Sequence, residues 1–454
     1  MESLLPANSW KRIEAAAASC GADEDEATSL ARLLPDPKAD KVVQITQYER
    51  IDFDFAGTHP ATSLVNSYMI RKALIRKHFL SATVDTWVAK HPGSVLKTHA
   101  KRSEPFEVDY AEFLDDALVE AFDLRASLER NEAAGAGAGG EGGHGGKTEW
   151  WILKPSMSDR GQGIRLFSTM EQLQDIFDGW EEELSDSEDE EEDEEQDQDE
   201  EEEEGKQYIR TSHLRHFVAQ PYIDRPLLLA QTGRRKFHVR TYVLALGGLR
   251  VYVYRDMLAL FAARPYTPPS SSSSSTADTS GGGAGEIDLD AHLTNTCLQG
   301  SLDDADAAAT KEDSVHRFWD LGAAMAQAGV DAEDVFAQIC AVTAEVFEAA
   351  AREMVIHFQP MENAFEVFGL DFLVDEGGTA WLLEVNAFPD FKQTGRLSGV
   401  VEGFWRGVVE EAVVPFATGA ATGAAVAVGE KEGKKGDEEM VLVREVDLGR
   451  GRGW

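Results

Sequence analysis

Two carboxylates and an amide, Asp371, Glu384 and Asn386, stand at spacings that could hold a metal ion. They fall in residues 366–391, EVFGLDFLVDEGGTAWLLEVNAFPDF, where two β-rich runs flank Gly377-Gly378. A two-residue glycine loop favours a tight hairpin, and pairing the arms about it sets Glu376 opposite Thr379 and Asp371 opposite Glu384. Directly opposed residues share a face, strand alternation adds Asn386 to it, and Trp381, Leu383 and Val385 are expected on the other. Like charges facing each other across a ladder repel unless a cation sits between them. Magnesium suits such a set, since it takes oxygen ligands and is commonly held by one or two carboxylates together with nucleotide phosphates. The plain alternative is an amphipathic hairpin with a solvated acidic face.

Cations recur at strand mouths elsewhere. EWWILKP (149–155) reads as a buried strand ending at Lys154, and the loop SMSDRGQGI follows. An ammonium there, with glycines that let backbone N–H groups approach oxygens, suits phosphate, although no GKS or GKT makes this a P-loop. Residues 231–254, QTGRRKFHVRTYVLALGGLRVYVY, predict a hairpin turned at Gly247-Gly248. Its first arm alternates Lys236, His238, Arg240 and Tyr242 against Phe237, Val239, Thr241 and Val243, so one face is basic and the other mostly apolar. DAHLTNTCLQ (290–299) contributes His292, and a lone histidine is more often structural than catalytic. In LVNSYMIRKALIRKHF (64–79) the spacing predicts a helix with Leu64, Tyr68, Ile75 and Phe79 on one stripe. Arg71, Lys72, Arg76 and Lys77 interleave, facing either solvent or an anionic ligand.

The elements that must position these groups can be read in outline. At 454 residues and 43% hydrophobic content the chain can hold two or three domains with a sizeable core. Residues 1–40 read as a loosely structured lead and 41–134 as an N-terminal domain containing a helix over 110–130. A glycine-rich linker covers 135–146, and 147–230 forms a unit interrupted by an acidic insert at 181–205 that is predicted to be disordered. A further unit spans 231–415 with a flexible Pro/Ser/Gly insert at 268–286, a long helical region over 318–356 and a last helix over 400–414. Residues 416–454 are expected to be a disordered tail. The formal charge of −39 argues against nucleic acid or an anionic membrane as partner, and 19 of the 82 acidic residues lie in 181–204. Three cysteines without a CxxC pair fit a reducing compartment. With no secretory signal or convincing membrane span, a cytoplasmic protein is expected.

Together these segments resemble the tubulin-tyrosine ligase family, whose catalytic domain has the ATP-grasp fold. The resemblance rests on KPSMSDRGQGI (154–164), AQPYIDRPLLLAQTGRRKFHVR (219–240), HLTN (292–295), FGLDFLVD (368–375) and WLLEVNAFP (381–389). It spans roughly residues 64–410 and implies an α/β (α+β) architecture, with nucleotide held between two β-rich subdomains beside a smaller N-terminal domain. It places Lys154 on the nucleotide phosphates, Gln220, Pro221, Tyr222 and Ile223 at the adenine, and Lys236 near the base or phosphates. His292 and Asn295 would lie at the nucleotide end of the acceptor pocket, Lys77 near the γ-phosphate, and Arg240 on a substrate carboxylate. Asp371, Glu384 and Asn386 would hold Mg2+ beside ATP.

Two positions depart from the family pattern. His238 stands where aspartate is usual and bears on ribose contacts, and Leu260 stands where an arginine is usual. Arg255 and Arg264 flank Leu260 closely enough in sequence to supply the missing cation. The implied reaction is ATP-dependent ligation of a free amino acid to a protein acceptor, possibly tubulin, through an acyl phosphate. Such chemistry needs positioning and charge neutralisation rather than a nucleophilic triad. A non-catalytic ATP-grasp interaction module in a cytoplasmic assembly is the competing expectation. A small-molecule carboxylate–amine ligase is disfavoured by HLTN and KFHVR.

Overall fold

The computed structural model of the chain describes residues 38–136, 148–158, 161–191, 215–269, 287–294, 314–389, 397–419 and 439–449, with a few isolated positions besides. Two long apolar-rich strands form its centre. β7 (Arg235–Leu246) and β11 (Phe365–Val374) pair antiparallel, with Phe368 opposite Val243 and Asp371 opposite Arg240. The sheet continues through β9 (Leu258–Pro265) to β10 (Val315–Arg317) on one side and to β12 (Ala380–Ala387) on the other. β8 (Arg250–Tyr254) pairs with the second half of β7. The alternation expected from sequence holds along β7: Phe237, Val239 and Val243 enter the core, while Lys236, His238 and Arg240 take the opposite face.

The tail differs from expectation. β13 (Met440–Glu445) returns to pair antiparallel with β8, so part of residues 416–454 completes the sheet. MVLVRE carries a strand pattern, but the Ala/Gly/Lys-rich stretch before it hides the return from sequence.

A second, four-stranded sheet has the order β3 (Glu104–Glu107), β6 (His216–Pro221), β4 (Trp151–Pro155), β5 (Arg165–Phe167). One of its faces buries Phe106, Leu153 and Phe217 against Leu124 and Phe177 of α6 (Phe122–Ala136) and α7 (Met170–Glu191). Residues 104–136 therefore pack with this sheet rather than with an N-terminal domain. The helix expected over 110–130 is a 3-10 turn, a short α5 (Leu114–Ala117) and α6. Turns at Leu118 and Glu120 between the two helices leave Leu114, Leu118, Ala121 and Leu124 all buried. α7 continues to Glu191, past the expected boundary of the acidic insert at 181, and residues 192–205 lie outside the described residues. So do most of the lead 1–40, the linker 135–146 and the insert 268–286.

At the N-terminal side, β1 (Val42–Gln44) and β2 (Ser63–Val65) pair in parallel around α1 (Phe53–Thr58). The helix expected over 64–79 is instead β2, a loop, α2 (Lys72–Ile75) and α3 (Lys77–Lys90), with Arg76 extended between the helices. Asn66 explains the first break, because its amide bonds both the N–H and the carbonyl of Thr46 and so holds the chain extended. The outcome puts Lys77 at the first position of α3. α4 (Leu96–His99) leads towards β3.

The long helical region becomes α8 (Gly322–Gln327) and α9 (Ala332–Glu353), the latter capped by Asp331 and burying Val335, Ile339, Val342 and Val346 on the main sheet. α10 (Ser398–Val408), a π turn (Val409–Val413) and α11 (Val414–Thr418) close the sheet's other face. Among the described residues no helix is long and apolar enough to cross a membrane.

Candidate functional site

The β11–β12 hairpin sets Asp371 opposite Glu384, but not by the turn expected. Asp375 pairs with Thr379 around a three-residue loop, Glu376-Gly377-Gly378. The Asp375 carboxylate accepts N–H bonds from Gly377 and Thr379, and Gly378 adopts φ +84°, which glycine tolerates. That displaces the register by one residue. A bulge restores it, since Phe372 faces Leu382 while Asp371 faces Glu384, leaving Leu383 as the extra residue. The expected common face for Trp381, Leu383 and Val385 is therefore wrong. Leu382 and Val385 enter the core, Leu383 lines the cleft, and the Trp381 indole donates to Asp375.

Asp371 is buried and its oxygens are occupied by protein groups. Arg240, its cross-strand neighbour, donates from Nε to Oδ1 at 2.5 Å and from a terminal nitrogen to Oδ2 at 3.0 Å. The Asn386 amide nitrogen reaches Asp371 at 3.4 Å and Glu384 at 3.1 Å. Lys77 Nζ lies 3.7 Å from Glu384 and donates to the Ser158 carbonyl at 3.1 Å. Burial pushes the Asp371 carboxyl up to about 6 against the pull of Arg240. Burial also acts to raise Glu384, but Lys77 and Lys154 outweigh it and hold that carboxyl at about 2. The pair is thus one firmly ionised acid beside one whose ionisation burial opposes.

His238 Nδ1 lies 2.6 Å from the Thr294 hydroxyl, and its Nε2, 3.6 Å from Asp371, has no hydrogen-bond partner among the described residues. Burial drives this imidazole down to about 3, so it is neutral. Facing a carboxylate, Nε2 is better placed carrying the proton, which leaves Nδ1 to accept from Thr294.

The opposite wall comes from the four-stranded sheet. Lys154, at the end of β4, donates to Gln220 Oε1 at 3.0 Å, and Gln220 in turn donates to Ser103. Lys236 donates to the Tyr222 hydroxyl at 2.9 Å, and that hydroxyl lies 2.8 Å from His292 Nδ1. Burial lowers Lys154 to about 8 and Lys236, which also feels Lys154, to about 7. Neither lysine has a carboxylate within ion-pair distance among the described residues. Two buried ammonium groups held only by neutral oxygens favour an incoming anion. After Lys154 the loop turns at Gly161 (φ +80°) and Gly163 (φ +69°). A cavity lined by Lys77, Ser81, Lys154, Gln220 and Leu383 joins the two walls.

The family model described as the tubulin-tyrosine ligase family matches residues 65–419. The chain belongs to the tubulin-tyrosine ligase family. It is 44% identical over 374 residues to a probable tubulin–tyrosine ligase of Schizosaccharomyces pombe, covering 82% of this chain and 83% of that one. A probable tubulin–tyrosine ligase of Saccharomyces cerevisiae, PBY1, is 42% identical over 377 residues, which are 83% of this chain and 46% of that one. The chain thus spans under half the length of that relative. Among solved structures, the C-terminal domain of K. lactis Pby1 superposes with a TM-score of 0.59 at 34% identity, over 91% of this chain and 90% of that one. That protein is described as an ATP-grasp enzyme interacting with the mRNA decapping enzyme Dcp2. The fold is ATP-grasp, as the sequence resemblance implied.

Against the tubulin-tyrosine ligase pattern, the structure brings Lys77, Lys154, Gln220, Tyr222, Lys236, His238, Arg240, His292, Asp371, Glu384 and Asn386 to one cleft, with Pro221 and Ile223 flanking Tyr222. Asn295 lies outside the described residues. Arg255 and Arg264 are not brought there. Arg255 contacts Glu333 and lies over the Trp319 ring, on the α9 side of the sheet, and Arg264 reaches outward to Asp288. The reason is local: Arg255 sits in the β8–β9 turn, and Arg264 is near the exposed end of β9.

The two departures turn out to be one. Leu260 pairs directly with His238 across β9 and β7 and is buried with Tyr242 and Leu258. An arginine at 260 would be set in an apolar cluster opposite a neutral imidazole, so Leu260→Arg on its own is expected to destabilise the sheet. Sequence reasoning missed the Arg240–Asp371 fork and Thr294. Alternation flagged the face of Arg240, but nothing local announces which strand 131 residues away it will adjoin.

Proposed function

We propose that the chain is an ATP-dependent ligase that joins a free amino acid to a carboxylate of a protein acceptor through an acyl phosphate. The observation that supports this best is the meeting of two buried lysines bonded to neutral oxygens, a paired-carboxylate hairpin and an arginine fork at one cleft. In this reading Lys154 and Lys236 hold nucleotide phosphates, with Lys77 at the γ-phosphate, and residues 220–223 hold the adenine. His238 and His292 shape the base and ribose end.

The donor set fits magnesium: two carboxylates and an amide within contact of one another, with Asn386 presenting its oxygen after a flip of the amide. When bound, the ion supplies charge neutralisation at the phosphate oxygens. Asp371 can take such an ion on the lone pairs that the Arg240 fork leaves open, or exchange the fork for it. Guanidinium does not lose its proton, so a fork that is freed takes up another anion, and an acceptor carboxylate fits it bidentately. The acceptor oxygen then attacks the γ-phosphorus as ADP leaves. The amino acid's amine next attacks the acyl carbon, phosphate departs and the amine gives up a proton.

A second reading, a fold retained for interaction, is favoured by the neutral His238–Leu260 pair, which removes two charges from the cleft wall, and by the description of the K. lactis neighbour. ADP release with and without protein acceptors separates them. The ligase releases ADP in an acceptor- and amino-acid-dependent way; nucleotide binding without any such release over a panel that includes tubulin would leave the interaction reading standing.

A further inference from the structure

One stretch is apolar on two sides. Between Tyr110 and Phe122, Ala111, Leu114, Leu118 and Ala121 fill the core of the four-stranded sheet, while Tyr110, Phe113, Val119 and Phe122 point outward. These four residues are 48–72% exposed, and Tyr110 and Phe113 pack edge to face. Four of the eleven large apolar side chains exposed among the described residues thus lie within thirteen positions. Isolated exposed apolar residues are ordinary; a concentration of aromatic ones marks a contact surface.

The surroundings say what covers it. Asp109, Asp115 and Asp123 are engaged by Arg215, Arg125 and Arg102, but Glu112, Asp116 and Glu120 are exposed and make no ion pair among the described residues. Glu181 caps this stretch by accepting the Ala111 N–H, and from that residue the sequence carries 19 acidic residues in 24 positions. An anionic membrane or a nucleic acid would be repelled. We infer that the Tyr110–Phe122 surface docks a basic polypeptide segment of another protein, with aromatic or aliphatic side chains set on Phe113 and Phe122 and lysines or arginines against the flanking acids. The face lies across the sheet from Lys154 and Gln220, so docking and nucleotide binding are compatible. The inference does not depend on the ligase reading.

A random peptide library displayed on phage, selected on the full chain with a Phe113→Asn/Phe122→Asn variant as competitor, tests this. Both side chains are exposed, so the variant should fold, and unchanged ATP affinity checks that it has. The expected result is enrichment of peptides that combine Lys or Arg with Trp, Phe or Leu. Their affinity should fall by about tenfold or more in the double variant, as for truncated aromatic anchors, and should weaken with salt. Enriched peptides that bind the variant equally well, or a failure to enrich basic apolar sequences, would overturn the proposal. So would sedimentation showing a dimer of the full chain that the double variant dissolves, since the occupant would then be a second copy.

Discussion

Strand β11 carries two buried acid–arginine pairs five residues apart, on opposite faces of the sheet. Glu366 is fully buried; Arg71 Nε lies 3.0 Å from its Oε1 without hydrogen-bond alignment, and the Tyr68 N–H donates to Oε2 at 3.1 Å. Asp371 meets Arg240 through a two-point fork. Burial pushes both carboxyls up, Glu366 to about 8 and Asp371 to about 6, so burial alone does not tell them apart. Their surroundings do. Around Glu366 stand Tyr68, Ser67 and one arginine, whereas beside Asp371 stand a second carboxylate with Lys77 against it, an amide, and an imidazole nitrogen with no hydrogen-bond partner among the described residues. A pair that can be exchanged needs something to exchange with; a lone pair inside a core only fixes packing.

The sharpest way to break this contrast is to neutralise each acid. Asp371→Asn or Glu384→Gln should reduce magnesium-dependent turnover on the order of 10²- to 10³-fold, the scale of removing one preorganised electrostatic group from an active site. Asp371→Asn should also lower stability, by roughly 3 kcal/mol, because Arg240 is left buried beside a neutral amide. Relief of repulsion between the two carboxylates would predict the opposite sign, so a raised melting temperature would show that the fork contributes little. Glu366→Gln should leave nucleotide affinity, measured by calorimetry, unchanged. Equal losses in Glu366→Gln and Asp371→Asn would erase the distinction.

The pair at Glu366 should instead be visible in pH dependence. Its folded pKa, about 8, lies above the unfolded value of 4.5, so the folded state binds the proton more tightly. The stability it supplies is present below about pH 4.5 and is lost as pH rises towards 8, with a slope of at most ~1.4 kcal/mol per pH unit. Urea unfolding at pH 5, 6.5 and 8 should show wild-type stability falling across this window and a flatter profile in Glu366→Gln. Parallel profiles would mean that Arg71 keeps Glu366 ionised throughout.

Only one of these pairs was half legible in the sequence. Alternation around Gly377-Gly378 located Asp371, Glu384 and Asn386 because a hairpin is local, and the misplaced turn did no harm only because a bulge at Leu383 shifted the register back. Arg71 was read onto a helix that does not exist there, so its burial against Glu366, 295 residues on, left no trace. β13 was hidden for a related reason: its partner β8 lies almost two hundred residues earlier in the chain.

The contrast extends in the other direction, to arginine–acid pairs at the surface, where the smallest effects are expected. Arg255 is about a third exposed; beyond its contact with Glu333 it lies 4.4 Å from the Trp319 ring centroid and 4.9 Å from that of Phe336. Arg255→Ala should therefore cost about 1–2 kcal/mol through lost packing rather than lost charge. Arg264 is 63% exposed and, among the described residues, pairs with Asp288 and Asp290, so Arg264→Ala should stay within about 0.5 kcal/mol. Sequence position alone nominated both as stand-ins for the cation missing at Leu260, and that role requires either substitution to abolish ligation. The cleft already holds Lys77, Lys154, Lys236 and Arg240, and the two surface arginines are engaged elsewhere, with Glu333 and Asp288. Steady-state ADP release in the two variants should match wild type. A hundredfold loss in Arg264→Ala would mean that the β9 end folds over the cleft during the reaction, and the ranking of arginine–acid pairs by what surrounds them would fail at its most exposed member.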